Sequence, residues 1–188
     1  MQKHPNTYFS YKTPVGAVII AANKEGITHV IFEEAAKNRL KTGKYKTLSN
    51  AEKTLESLGA TKKASALTNK AANELLEYFA KKRRIFTVPL CMQGSEFQIK
   101  VWKELEGLYY GNYCTVSQLA AQMNMPDAKR IIGSAIAKNT LAIFIPDHRI
   151  ISAKFSHELT SDAPIHPISR KEKLLAFELN GLPRDKKA

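Results

Sequence analysis

Side chains able to do chemistry gather toward the C-terminal end of this 188-residue chain. Asp147, His148, His157, Asp162 and His166 lie within one short stretch, and carboxylate and imidazole are acceptable zinc ligands. Their spacing matches no metal motif, so they read as solvated loop residues, and neither a metal nor another cofactor is expected. The two cysteines, Cys91 and Cys114, have no metal-ligand spacing and give no disulfide framework. Each reads as a small, partly buried side chain. Charge offers a different chemistry. Against 17 Asp/Glu stand 29 Lys/Arg, a formal net charge of +12, which favours a polyanionic partner, most commonly nucleic acid. Residues 1–90 carry 16 basic and 7 acidic side chains, and residues 91–188 carry 13 and 10. Much of the excess is therefore a general phosphate-attracting field.

The elements that must position these groups follow from periodicity. Tyr8 to Lys12 precedes Thr13-Pro14-Val15-Gly16, a turn by composition. Val15–Ala22 and Ile27–Phe32 are β-rich runs separated by Asn23-Lys24-Glu25-Gly26, which predicts a hairpin. Residues 33–66, rich in Lys, Ala, Ser and Thr, read as an irregular or partly helical surface segment. Ala71, Leu75, Leu76 and Phe79 recur at helical spacing, predicting an amphipathic helix over 67–82. Ile85–Leu90 reads as a short strand or connector, and the domain boundary is placed near residue 92.

The second half is mainly helical. Phe97, Val101, Trp102 and Leu105 mark one face of a helix over about 95–106. Thr115-Val116-Ser117-Gln118 has the form of a capping box, opening a helix whose apolar side is Leu119, Ala120 and Met123. Asn124-Met125-Pro126-Asp127 ends that helix and starts another, with Pro in the first turn. The next helix has an apolar stripe of Ala128, Ile131, Ile132, Ala135 and Ile136, leaving Lys129, Arg130 and Ser134 off the buried face. Two short helices around a tight turn fit a helix-turn-helix. No apolar run is long enough to span a bilayer, and the first six residues hold no signal core. The chain is expected to be soluble and intracellular, in the cytoplasm of a bacterium, and nucleoid-associated when on DNA.

Ordered matches make the reading more specific. Phe97-Gln98 with Val101-Trp102 and Leu105, then Gly111, Gln118-Leu119-Ala120, Pro126 with Ala128 and Arg130, and Gly133 follow one another at family spacing. Asn139 precedes Ile145-Pro146-Asp147-His148-Arg149, and Lys171 with Leu174-Leu175 and Glu178 closes the series. Thr13-Pro14-Val15-Gly16, Glu25-Gly26-Ile27, Tyr78-Phe79, Arg84 and Pro89-Leu90 extend it into the first half. In this pattern the chain resembles the methylated-DNA–protein-cysteine methyltransferase (alkylguanine-DNA alkyltransferase) family, bacterial two-domain type. The likeness covers nearly the whole chain except 33–66 and 152–169.

That resemblance implies an α+β fold. A small N-terminal α/β domain with a ribonuclease-H-like sheet would occupy 1–91. A mainly helical alkyltransferase domain containing the helix-turn-helix would occupy 92–188. It also implies a monomer that binds double-stranded DNA through the minor groove and needs no cofactor. In the family, an arginine of the second helix fills the gap left by an extruded base. Arg130 matches it, and Lys129, Ser134, Thr115, Val116 and Gln118 complete the expected DNA-binding set. His148 and Glu178 match the histidine and glutamate that activate the family's cysteine, and Asn139 matches the residue shaping the turn before it.

Three departures set the functional expectation. Asp147 stands where the family has its nucleophilic cysteine, and a carboxylate is a far weaker nucleophile toward an alkyl carbon than a thiolate. It would also repel guanine O6, an acceptor. Val116 stands where the family has a tyrosine that helps turn the target nucleotide out. Phe155-Ser156-His157-Glu158-Leu159 through Pro164-Ile165-His166-Pro167 replaces the family's Gly-Tyr-x-Gly-Gly pocket loop. The expected protein is a DNA-binding pseudoenzyme, a damage sensor or non-transferring binder in alkylated-DNA repair, with a repair protein as a candidate partner. The alternatives are residual transfer onto Asp147, Cys91 or Cys114, and a protein-interaction module using 152–169.

Overall fold

Val18 to Ala22 are buried without interruption, which requires cover on both faces of the strand that carries them. The computed structural model, which describes residues 4–32, 48–160 and 169–180, supplies that cover. Strands β1 (Thr7–Thr13), β2 (Gly16–Ala22) and β3 (Ile27–Phe32) form an antiparallel meander. Helix α1 (Leu48–Ser57) is followed by a two-residue strand β4 (Thr61–Lys62), which pairs in parallel with β1. The sheet order is thus β3-β2-β1-β4. Alternation assigns the faces. Ile19 and Ala21 meet Ala51 and Leu55 of α1, together with Tyr8 and Ala60. On the other face, the Tyr11 hydroxyl reaches Thr68 and Asn69 of α2 (Ala66–Phe79) at 2.8 Å each.

Two expectations for this half need correction. The 33–66 segment is partly helical, as read, but not a surface segment throughout: its described part holds α1 and β4 and buries Ala51, Leu55 and Ala60, and 33–47 fall outside the described residues. Leu76 does not share the apolar stripe of α2 but is exposed, while Glu74 is buried in its place. The Glu74 carboxylate accepts from Thr87 N at 2.8 Å, Thr87 Oγ1 at 2.6 Å and Val88 N at 3.3 Å. Burial alone would raise its pKa, but these hydrogen bonds and Arg83 outweigh burial and lower it. The connector over 85–90 therefore hangs on a buried carboxylate. Its last residues approach the sheet so closely that a Cβ at Gly26 would lie 2.5 Å from the Pro89 carbonyl oxygen. Ile27 N donates to Pro89 O, and Cys91 N to Ile27 O, both at 2.8 Å.

By contact, the chain divides into units Met1–Gln93 and Gly94–Ala188. In the second, α3 (Glu96–Glu106) opens on a Ser95–Gln98 capping box, and its Trp102 donates to the Ala135 carbonyl at 2.9 Å. That bond ties α3 to α5 (Lys129–Ala137), which follows α4 (Val116–Gln122) and a 3-10 turn Pro126–Ala128. Ile132, Ala135 and Ile136 of α5 are buried, but Ile131 is 52% exposed, contrary to the stripe expected from spacing. Strand β5 (Cys114–Thr115) pairs in parallel with β6 (Ile150–Ile151). Helices α6 (Ala153–Thr160) and α7 (Arg170–Leu179) complete the described residues. The molecule is thus α+β, with a small sheet unit followed by a helical one. Among the described residues no helix is long and apolar enough to cross a membrane.

Candidate functional site

The centre of the second unit is a carboxylate with no water contact. Glu178, on the buried face of α7, is fully buried and accepts four hydrogen bonds. His148 Nε2 and Arg149 Nη2 donate to Oε1 at 2.9 and 2.8 Å, and Arg149 Nε and Gly111 N donate to Oε2, both at 2.9 Å. Burial by itself would push the Glu178 carboxyl up. The hydrogen bonds and charges of His148 and Arg149 outweigh burial and hold it down at about 2. Arg149 also donates through Nη1 to the Leu108 carbonyl. Gly111 has φ +77°, a backbone region glycine enters without strain, and this places its N–H toward the carboxylate.

His148 and Arg149 share a 3-10 turn with Asp147 (Asp147–Arg149), against which α7 packs. Asn139 sets the approach to that turn. Its Nδ2 donates to Ile145 O at 3.0 Å and its Oδ1 accepts from Leu141 N at 2.9 Å. Between these anchors Ile143 is held at φ +73°, which is costly for a β-branched residue. The next residues, Pro146 and Asp147, enter the turn from this fixed loop.

Asp147 does not stand alone. Its Oδ2 lies 2.7 Å from Lys171 Nζ, with side-chain exposures of 14% and 40%. The sequence placed Lys171 within a matching helix but gave no hint of this pairing. Arg149 was likewise visible only as part of a motif, not as the bidentate partner of Glu178. The available signal is the pair of charged residues that flank His148, Asp147 before it and Arg149 after it.

The solvated-loop expectation fails for His148, which is 1% exposed. Its Nε2 is engaged by Glu178, and its Nδ1 is buried with no hydrogen-bond partner among the described residues. His157 lies on α6, whereas Asp162 and His166 fall outside the described residues. Among the described residues no group of three metal-ligating side chains assembles. Cys114 is buried on β5, opposite Ile150, and burial pushes its thiol pKa up. Cys91 is buried in the first unit beside Asn23 and Glu25. Neither cysteine is in the 147–149 turn.

The other predicted set lies on α4 and α5. Lys129, Arg130 and Ser134 are exposed on α5, joined there by Ile131. Val116 is half-buried as the first residue of α4. Thr115 and Gln118 spend their oxygens on the helix cap: Gln118 Oε1 accepts from Thr115 N at 2.7 Å, and Thr115 Oγ1 accepts from Gln118 N at 3.2 Å. Within 152–169, residues 153–160 form α6, and its Phe155 is buried with Ile151 and Leu175. That residue is core, not contact surface.

With this geometry in view, known proteins give a consistent comparison. Residues 6–92 match the ribonuclease-like domain of 6-O-methylguanine DNA methyltransferase, and residues 96–180 match that family's DNA binding domain. The constitutive methylated-DNA–protein-cysteine methyltransferase of Bacillus subtilis is 34% identical over 146 residues, covering 78% of this chain and 81% of the relative. The methylated-DNA–protein-cysteine methyltransferase of Methanosarcina mazei is 32% identical over 175 residues, covering 93% and 98%. The crystal structure of Mycobacterium tuberculosis O6-methylguanine methyltransferase superposes with a TM-score of 0.70 at 28% identity, covering 95% and 96% of the two chains. A complex of the M. tuberculosis protein OGT with DNA gives a TM-score of 0.68 at 27% identity, covering 96% and 98%.

Proposed function

Since the chain belongs to the 6-O-methylguanine DNA methyltransferase family, we propose that it binds duplex DNA through its second unit and does not transfer alkyl groups. The carrying observation is the Asp147–Lys171 ion pair directly before His148. In our reading Asp147 occupies the position of the family's cysteine. A carboxylate is a poor nucleophile for a saturated carbon, and this one already shares its electrons with an ammonium group. Cys114 offers no substitute, since burial keeps its thiol protonated.

DNA binding is supported by the matched DNA binding domain, by the solved complex of a relative with DNA, and by the +12 charge. We assign α4 and α5 as a helix-turn-helix, with α5 in the minor groove and exposed Arg130 filling the gap of an extruded base. The protein then acts as a monomeric, cytoplasmic binder that hands DNA to a repair partner.

Fluorescence-anisotropy titration of a duplex over a salt series, with intact-protein mass before and after exposure to methylated DNA, tests both halves. Salt-sensitive binding that weakens in the Arg130→Ala variant, with no mass gain, is expected. Gain of one methyl mass refutes the inactive site. Affinity unchanged by Arg130→Ala refutes the placement of α5.

A further inference from the structure

We propose that the Asp147–Lys171 pair inverts the base preference of this site, so that it takes an unstacked, unalkylated guanine and rejects the O6-alkylated one. The inference relies on the DNA-binding reading above for delivery of the base, but its chemistry depends only on the pair. Lys171 Nζ sits 2.7 Å from Asp147 Oδ2. From the ammonium through the two carboxylate oxygens, the pair therefore offers a donor followed by two acceptors. The pairing edge of guanine is the complement, with O6 accepting, N1–H donating and the N2 amino group donating. A carboxylate takes the two donors as a bidentate pair, and the ammonium takes O6.

Alkylation at O6 removes the N1 proton, so N1 becomes an acceptor. The lesion then faces Asp147 with a lone pair where guanine had a donor, and only the N2 amino group remains for the carboxylate. An unmatched buried polar contact costs more than a missing one, because both groups have given up water. Cytosine brings one donor group beside two acceptors and adenine one donor group beside one acceptor, so each leaves a carboxylate oxygen without a donor and matches the pair less fully than guanine does. Both side chains are partly exposed, so the pair is not sealed from solvent. A second feature of the same turn points to a polar occupant: His148 Nδ1 is buried with no partner among the described residues, a state that a polar neighbour relieves.

The test reads a ratio of affinities. The full chain is titrated with two labelled duplexes carrying guanine or O6-methylguanine opposite an abasic site, so that neither base is held by pairing. Wild-type protein is expected to bind the guanine duplex roughly tenfold more tightly, the discrimination a bidentate contact supplies. The Asp147→Asn variant keeps the shape but replaces one acceptor by a donor, and is expected to bring the ratio to about one. A wild-type ratio of one or below overturns the proposal, and so does a ratio that Asp147→Asn leaves unchanged. If neither duplex nor a fully paired control binds, the DNA reading fails on its own. The ratio is then read with guanosine and O6-methylguanosine by saturation-transfer NMR. There a guanosine preference upholds the inference, and equal or reversed binding overturns it.

Discussion

Replacing Glu178 by Gln removes one negative charge and leaves the guanidinium of buried Arg149 without its counter-ion. Breaking a buried pair in this way costs roughly 3–5 kcal/mol. Proton linkage gives an independent figure. The carboxyl moves from its ordinary 4.5 to about 2 on folding, and at 1.36 kcal/mol per unit that is about 3.4 kcal/mol at neutral pH. The folded-state pKa is the depressed one, so this stability is fully present above 4.5 and is lost as pH falls toward 2. Near pH 3 only about 1.4 kcal/mol of it remains. Trp102 is the single tryptophan and lies buried in the same unit as Glu178. Its fluorescence in a urea titration therefore reports unfolding of the unit that holds the network. The Glu178→Gln variant is expected to be less stable than wild type by about 3 kcal/mol at pH 7, with the gap narrowing by more than half near pH 3. A gap below about 1 kcal/mol at pH 7, or one that does not shrink in acid, refutes the claim that the buried charges hold this region together.

Other expectations follow from named contacts. The Asp147→Cys variant puts a thiol beside Lys171 and next to His148, surroundings that lower a thiol pKa. Iodoacetamide should label position 147 at neutral pH at least about tenfold faster than buried Cys114, as read by peptide mass, and equal rates would contradict this. Lys129→Ala, at an exposed position of α5, should reduce the slope of log affinity against log salt by about one on any duplex. Gly26→Ala drives a methyl into the Pro89 carbonyl oxygen and should destabilise the first unit by about 1–3 kcal/mol in urea melts followed by circular dichroism. Glu74→Ala removes the acceptor for Thr87 and Val88 and should make the chain at Lys82, Arg83 and Arg84 cut markedly faster by dilute trypsin.

Periodicity carried the regular elements well. The β2–β3 hairpin, α2, α3 and the α4–α5 pair were legible because each buries a face whose repeat is local in sequence. What escaped has no local repeat. Thr61-Lys62 forms β4 only because β1 offers a free edge, and neither residue is buried or apolar. Leu76 and Ile131 lie at the margin of their stripes, where spacing cannot tell the last buried position from the first exposed one. Ordered motif matches placed His148 and Glu178 at positions that the fold brings to 2.9 Å. The Lys171–Asp147 pair spans 24 positions and joins α7 to a turn, so it exists only after tertiary packing. Where the resemblance implies a pocket loop, 153–160 form a helix anchored by Phe155, a contact with Ile151 and Leu175 that no local pattern signals.

The way Glu178 is held also bears on how such a chain drifts over generations. Three residues from two places in the sequence, Gly111 and the neighbours His148 and Arg149, donate to one dry carboxylate. None changes cheaply while the others stay: losing either side chain leaves the carboxylate short of a donor, and a side chain at Gly111 meets a positive φ. Selection for a folded chain is then enough to preserve the set, whatever the site does. In this fold His148, Arg149 and Glu178 answer to packing, while Asp147, paired to Lys171 and not to Glu178, lies outside that constraint.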